Sequence, residues 1–162
     1  MKPTKTTRKS TSKSTSAAPQ DATAMLRADH KKVSALFAQY EAARATSRKQ
    51  AIVAQICMEL KVHTQIEEEI FYPAVKAALK DHELVPEATV EHASVKDLIA
   101  HVEGKQPDGE MFDAKIKVMS EFVKHHVKEE QNEMFPKAKK TRLDMKQLGA
   151  AMAERKRQLL AS

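Results

Sequence analysis

Apolar residues recur along the chain at alternating gaps of three and four, the spacing that lines one face of a helix. After Pro19, Asp21 is placed to cap a helix whose inward face is Leu26, His30, Val33, Phe37 and Tyr40. A second run begins near Ser47 and carries Ile52, Ile56, Leu60, His63, Glu67, Ile70 and Ala74 on one seam. Pro73 falls inside that run and is expected to kink it or to end its regular hydrogen bonding. A third run, from about Pro86, places Ala88, His92, Val95, Ile99 and Val102 on one face and stops before Gly104. The segment KQPDGE has turn chemistry, and after it Phe112, Ile116, Met119, Val123, His126, Glu130 and Glu133 continue the pattern up to Pro136. Short links between long helices with apolar seams predict an all-α, up-down-up-down four-helix bundle. A last run, DMKQLGAAMAERKRQLL, predicts a shorter C-terminal amphipathic helix. Its apolar face, Met145, Leu148, Met152 and Leu159, must dock on the bundle or on another subunit.

Four histidines and, besides Glu133 at the end of its run, two glutamates therefore stand on inward faces. They also stand in register. DHKKVSALF at 29–37 and EHASVKDLI at 91–99 share one pattern, His30 precedes His92 by 62 residues, and His63 precedes His126 by 63. Each half supplies one His, then a His-x-x-x-Glu, then an aromatic-Pro pair, so a two-fold pseudo-symmetry is expected.

Composition changes this picture little. The chain has 162 residues, 41% hydrophobic and 31% charged, with three Gly and no Trp, as befits one helical domain. The net charge of +6 is more informative by its location. Residues 1–20 hold Lys2, Lys5, Arg8, Lys9 and Lys13 and no acid, leaving 23 bases against 22 acids elsewhere. This predicts a disordered basic tail over 1–20, the bundle over 21–140 and the C-terminal helix over 141–162. The tail could touch anionic polymers weakly. No basic face with interleaved aromatics follows it, so specific nucleic-acid recognition is not expected. One cysteine, Cys57, forms no internal disulfide and is expected to pack as a small apolar residue. No apolar run nears the ~20 residues that span a bilayer, and a cytoplasmic protein is expected.

A buried imidazole or carboxylate costs several kcal/mol unless it is paired or metal-bound. Residues four apart share a helix face, so His63 with Glu67 and His126 with Glu130 each direct a nitrogen and a carboxylate to one point, and His30 and His92 close it. Two copies of two His and one Glu match a dinuclear centre in which both Glu bridge and each metal takes two His. Such ligands suit Fe, Mn, Zn or Cu, of which Zn has no redox chemistry. One His alone on an apolar face is more simply a hydrogen-bonded core residue, and a Zn or metal-free polar seam that fixes bundle specificity is the corresponding structural alternative.

The order His30, His63-x-x-x-Glu67, His92, His126-x-x-x-Glu130, with EEEIFYP and QNEMFP following, resembles the hemerythrin-like (HHE) cation-binding domain over residues 21–140. The resemblance implies a hemerythrin-like bundle around two non-haem Fe ions, oxo- or hydroxo-bridged, in preference to Mn or Zn. It implies the metal ligands His30, His63, Glu67, His92, His126 and Glu130, and a small ligand: dioxygen, hydrogen peroxide or nitric oxide. Two departures stand out. Oxygen-carrying hemerythrins have a second His four residues after the first on the third helix, where this chain has Lys96, and their fourth-helix carboxylate is an Asp five residues after its His, not a Glu four after. The missing imidazole favours peroxide or nitric oxide chemistry over oxygen storage, with Tyr40 a conceivable replacement ligand. Turnover is left open: a di-iron oxidoreductase, or a non-catalytic sensor or iron buffer that signals through helix repacking.

The remaining polar neighbours fall off the seam. His125, turned about 100° from His126, is expected with Glu129 to flank the site, and His82 and His101 to be surface or capping residues. Glu68 and Glu69 are expected on the solvated side. Asp29 and Glu91 are expected to be exposed unless they orient an imidazole. Phe71, Tyr72 and Phe135 are expected to fill the core around the pocket.

Overall fold

Asp21 caps as its position predicts. Its Oδ1 accepts the Ala24 N–H at 2.9 Å and the Thr23 hydroxyl at 2.7 Å, starting α1 (Ala22–Ala42). The computed structural model describes residues 20–162, so the tail expected over 1–20 lies, but for Gln20, outside the described residues. A link of three residues leads to α2 (Thr46–Ile66). α4 (Leu84–Val102) begins two residues before Pro86, because the Asp81 carboxylate accepts the Leu84 and Val85 N–H groups at 3.1 and 2.8 Å. Pro86 then lies in the first turn, where no donor is needed. α5 spans Glu110–Glu129 and α7 Met145–Ala161, the latter capped by Asp144 on the Lys146 and Gln147 N–H groups.

The second helix neither stops at Glu67 nor breaks at Pro73. Glu67–Phe71 form a π-helical turn leading into α3 (Tyr72–Leu79), and Glu130–Met134 repeat it between α5 and α6 (Phe135–Lys139). The prolines explain why. Pro73 and Pro136 have no N–H for the carbonyl four residues back, and in each half the preceding N–H, of Tyr72 or Phe135, reaches five back to the carbonyl of Glu67 or Glu130. Regular bonding thus ends before the proline rather than beyond it, and one extra residue enters the face. Beyond the glutamates the buried positions are Phe71, Tyr72 and Val75 in one half and Met134, Phe135 and Ala138 in the other. The expected Ile70 and Ala74 are only half-buried, and Glu133 is exposed.

α1 packs on α2, α2 on α4, α4 on α5 and α5 on α1, which closes the up-down-up-down ring. Two apolar blocks fill it. One, with Phe37, Ile56, Ile99, Phe112 and Met119, holds Cys57, whose thiol is pushed up to about 11 by burial. The other holds Leu26, Phe71, Tyr72, Val85, Met134 and Phe135. Between them lies a polar layer, and that layer is the site.

α7 docks on α1 and α2 of its own chain. Met152 is wholly buried there, worth about 1.5–3 kcal/mol, and Met145, Leu148 and Leu159 are partly covered. Gly149 permits the approach: a Cβ on it would lie 2.2 Å from the Gln20 carbonyl oxygen. Arg155 and Lys156 then reach Glu69 and Asp29, both at 2.6 Å. Among the described residues no helix is long and apolar enough to cross a membrane.

Candidate metal centre

Six donors converge in the polar layer. α1 brings His30, α2 His63, α4 His92 and α5 His126, and the two π-turns open with Glu67 and Glu130. All six are buried, Glu67 completely. Donor atoms of His30, His63, Glu67 and Glu130 lie within 4.8 Å of one another, and so do those of Glu67, His92 and His126. Glu67 belongs to both groups. Glu130 Oε1 lies 3.2 Å from both His30 Nε2 and His126 Nε2, so it too joins the two halves. His92 Nε2 is 3.1 Å from His126 Nε2 and 3.6 Å from Glu67 Oε2. His63 Nε2 touches Glu67 Oε1.

Every imidazole presents Nε2 to the interior and Nδ1 to an outer oxygen. His30 Nδ1 meets Gln131 Oε1 at 2.9 Å and His63 Nδ1 meets Asp29 Oδ2 at 3.1 Å. His92 Nδ1 meets Glu68 Oε1 and His126 Nδ1 meets Glu91 Oε1, each at 3.3 Å. An outer acceptor fixes a histidine's proton on Nδ1 and leaves the Nε2 lone pair free for a metal. The two halves correspond: Asp29 on His63 matches Glu91 on His126, and Glu68 on His92 matches Gln131 on His30. Asp29 and Glu91 therefore orient an imidazole, each that of the neighbouring helix, and Asp29 is buried rather than exposed. Glu68, expected on the solvated side, does the same, while Glu69 pairs with Arg155.

The donor set passes a test of fit. His30 Nε2, His63 Nε2, both oxygens of Glu67 and Glu130 Oε1 are buried with no hydrogen-bond partner beyond the His–Glu contacts of the layer itself. A buried polar atom left unsatisfied costs about 1–3 kcal/mol. Five of them aimed at one another make a poor core and a good cation site, and nitrogen with carboxylate oxygen is the donor chemistry of Fe, Mn or Zn.

Electrostatics show the same crowding. Burial opposes charge on His63 and His126, but Glu67 and Asp29 raise the first to about 10, and Glu130 and Glu91 raise the second to about 11. His92 is depressed to about 2 by burial and by His126 beside it. Burial and the facing Glu130 push the Glu67 carboxyl up, whereas His126 overcomes burial to hold Glu130 down.

Tyr72 is a member of the polar layer that seam counting missed. Its hydroxyl donates to Glu130 Oε2 at 2.8 Å and lies 3.1 and 3.2 Å from the Nε2 atoms of His92 and His126. The signal was the following Pro73, which marks the π-turn that swings position 72 inward. Tyr72 stacks on His92 as Phe135 stacks on His30, so the phenol belongs to one half only. Tyr40 is far from the layer: its hydroxyl donates to Asp113 at 2.6 Å within the other apolar block, and it replaces no ligand. Lys96 points outward to Glu68 Oε2 at 2.5 Å, steadying the carboxylate that orients His92. His125 flanks the site with Glu129 at 3.2 Å, and His82 and His101 are exposed.

Comparisons with known proteins place the fold. Similarity of fold is clear to a hemerythrin HHE cation binding domain-containing protein from Mycobacterium kansasii, at 24% identity, a TM-score of 0.75 and 88% coverage of each chain. A DNA nickase of Nostoc sp. is 26% identical over 111 residues, which are 68% of this chain but 31% of that protein, so the chain spans under a third of it. The hemerythrin HHE cation binding domain family matches residues 21–138, the span that folds into the bundle and carries all six inward donors, and the chain belongs to that family.

Proposed function

We propose that the polar layer holds two non-haem iron ions through His30, His63, Glu67, His92, His126 and Glu130, and that the centre binds or reacts with a small oxidant: dioxygen, hydrogen peroxide or nitric oxide. The observation that carries this is the orientation of all four imidazoles, Nδ1 outward on a fixed acceptor and Nε2 inward beside two carboxylates with unpartnered oxygens. Bound iron would supply a Lewis acid and a redox couple.

The chain's own residues set what can approach. A cavity of about 20 Å³ adjoins the layer, walled by all four histidines with Val33, Leu60, Val95 and Val123. Room for about one water suits a molecule of two non-hydrogen atoms and excludes organic substrates. A cleft between α1 and α5 reaches His30, Val123 and Val127, which also border the cavity, and so offers a route inward. Tyr72 closes the opposite side with a hydroxyl that can hold or pass a proton at Glu130. No nucleic-acid strand enters this reading, which places the protein in the cytoplasm.

Metal analysis with an optical spectrum of freshly purified protein tests it. About two irons per chain are expected, with an absorption band that changes on adding peroxide or nitric oxide. Iron-free, spectrally silent protein from iron-replete cells would sink the proposal. A second reading, a sensor or iron buffer, is favoured by one contact: Lys156 of α7 holds the Asp29 that orients His63. Reversible ligand binding without peroxide consumption, together with altered amide exchange in α7, would support it.

A further inference from the structure

Outside the buried layer, Glu91, His125 and Glu129 form a second donor set, with ligand atoms within 4.8 Å of one another. Each directly precedes an inner residue, His92, His126 or Glu130, so the inner triad has an outer shadow one residue back on the same two helices. His125 Nε2 lies 3.2 Å from Glu129 Oε1 and 3.8 Å from Glu91 Oε2. Donors bound to one ion at roughly 2.1 Å sit about 3.0–3.5 Å apart, so only small side-chain shifts are needed. The set opens on a groove of about 630 Å³ between α4 and α5, walled by Pro86, Val90 and Phe122, which gives a hydrated ion access.

The other half of the molecule shows what is missing here. Asp29, the counterpart of Glu91, places one oxygen on His63 and the other on the ammonium of Lys156 at 2.6 Å. Glu91 likewise places Oε1 on His126, but its Oε2 meets only His125, and Glu129 meets only His125. Among the described residues no Lys or Arg pairs with either carboxylate. Two carboxylates and one imidazole thus surround the place where the first half seats a cation of its own.

We propose that Glu91, His125 and Glu129 bind a divalent cation of the Fe, Mn or Zn type at the surface, as a third site distinct from the inner pair. It takes the position that Lys156 fills in the first half. Glu91 joins the sites physically, one oxygen on the outer ion and one on His126. The site needs no assumption about which metals the inner layer holds.

The test uses the full chain freed of metal by chelation and dialysed against zinc ion alone. Bound zinc is counted, and the ring resonances of His125 are followed by NMR. Wild type is expected to take one weaker equivalent beyond those of the inner layer and to shift the His125 ring as it fills. His125→Ala, at an exposed position, and Glu129→Gln, at a half-buried one, both leave the inner donors in place and are expected to weaken that equivalent by at least about tenfold. Glu67→Gln, which alters the inner layer, is expected to leave it in place. Were Glu67→Gln to keep every equivalent, or wild type to bind the weaker one alone, the inner reading would fail while this one stood. Unchanged zinc affinity in His125→Ala, or a His125 ring that does not move, would overturn the outer site and leave a plain His–Glu ion pair.

Discussion

Replacing Glu67 by Gln removes the one carboxylate common to both donor groups while keeping its volume, and its effect on stability should depend on whether metal is bound. Without metal, Glu67 is completely buried, its oxygens meet only the imidazole nitrogens of the layer, and it faces the charge of Glu130 as well as the attraction of His63. Losing the repulsion and the attraction together should leave metal-free Glu67→Gln within about 1 kcal/mol of wild type. With metal, the account reverses. The buried donors, which without metal face only one another in a crowded His–Glu layer, are what bound cations would relieve. A ligand at 100 to 1,000 times its Kd stabilises by about 2.7–4.1 kcal/mol. For a chain of this length that corresponds to about 10 °C in Tm.

The assay is calorimetric melting of both proteins, iron-loaded and chelated, with iron counted in each. Wild type should lose about 10 °C on chelation, and Glu67→Gln should melt near the chelated value whether or not iron is offered, holding less than one iron per chain. A Glu67→Gln protein equally destabilised with and without iron would refute the reasoning, for Glu67 would then be an ordinary core partner of His63.

Tyr72→Phe should fold, since Phe135 fills the matching place, and should cost the chelated protein about 1–3 kcal/mol through the lost bond to charged Glu130, read by urea denaturation. Val123→Phe should fill the cavity beside the histidines and slow nitric oxide or peroxide binding at least tenfold in stopped flow, with iron content unchanged. Asp113→Asn should cost about 1 kcal/mol at neutral pH, because Asp113 accepts from Tyr40 and Lys49. Those donors hold the Asp113 pKa below its ordinary 3.8, so its contribution is present above that value and lost as pH falls through the folded pKa. The gap between Asp113→Asn and wild type should therefore close in acid titrations. Gly149→Ala should drive a Cβ into the Gln20 carbonyl, lift α7 and cost about 1–3 kcal/mol, with faster amide exchange along α7.

The helices, their inward faces and the six inward donors were legible because each rests on a period of 3.6 residues and because the pattern occurs twice. The π-turns were not. A count at 3.6 puts Ile70 and Glu133 inside and leaves Tyr72 as filler, whereas the prolines insert one residue and bring Tyr72 and Phe135 onto the imidazoles. The outer acceptors were half legible. They lie on helix faces that look solvated in projection, and what buries Asp29 and partly covers the others is a neighbouring helix: α2 beside Asp29, α4 beside Glu68, α5 beside Glu91. The repeat contained the missing signal, since Gln131 stands where Glu68 stands and does for His30 what Glu68 does for His92.

That correspondence also explains Lys96. Where the outer acceptor is a carboxylate, Glu68, a lysine one turn beyond His92 neutralises it at 2.5 Å, and where the acceptor is the uncharged Gln131, the matching position is Ser34. Asp29 has Lys156 in the same role. The protein therefore supplies a cation for two of its three outer carboxylates and leaves Glu91 with His125 alone. Lys96 is thus a counter-ion for an outer carboxylate, and what stands beside His92 inside the layer is Tyr72. Both asymmetries, the phenol over His92 and the uncompensated carboxylate behind His126, lie on the α4 and α5 side. Under the proposed dinuclear reading the Tyr72 hydroxyl, beside the Nε2 atoms of His92 and His126, competes with metal there, so the His30 and His63 position should fill first, and stepwise iron titration followed optically would resolve the order.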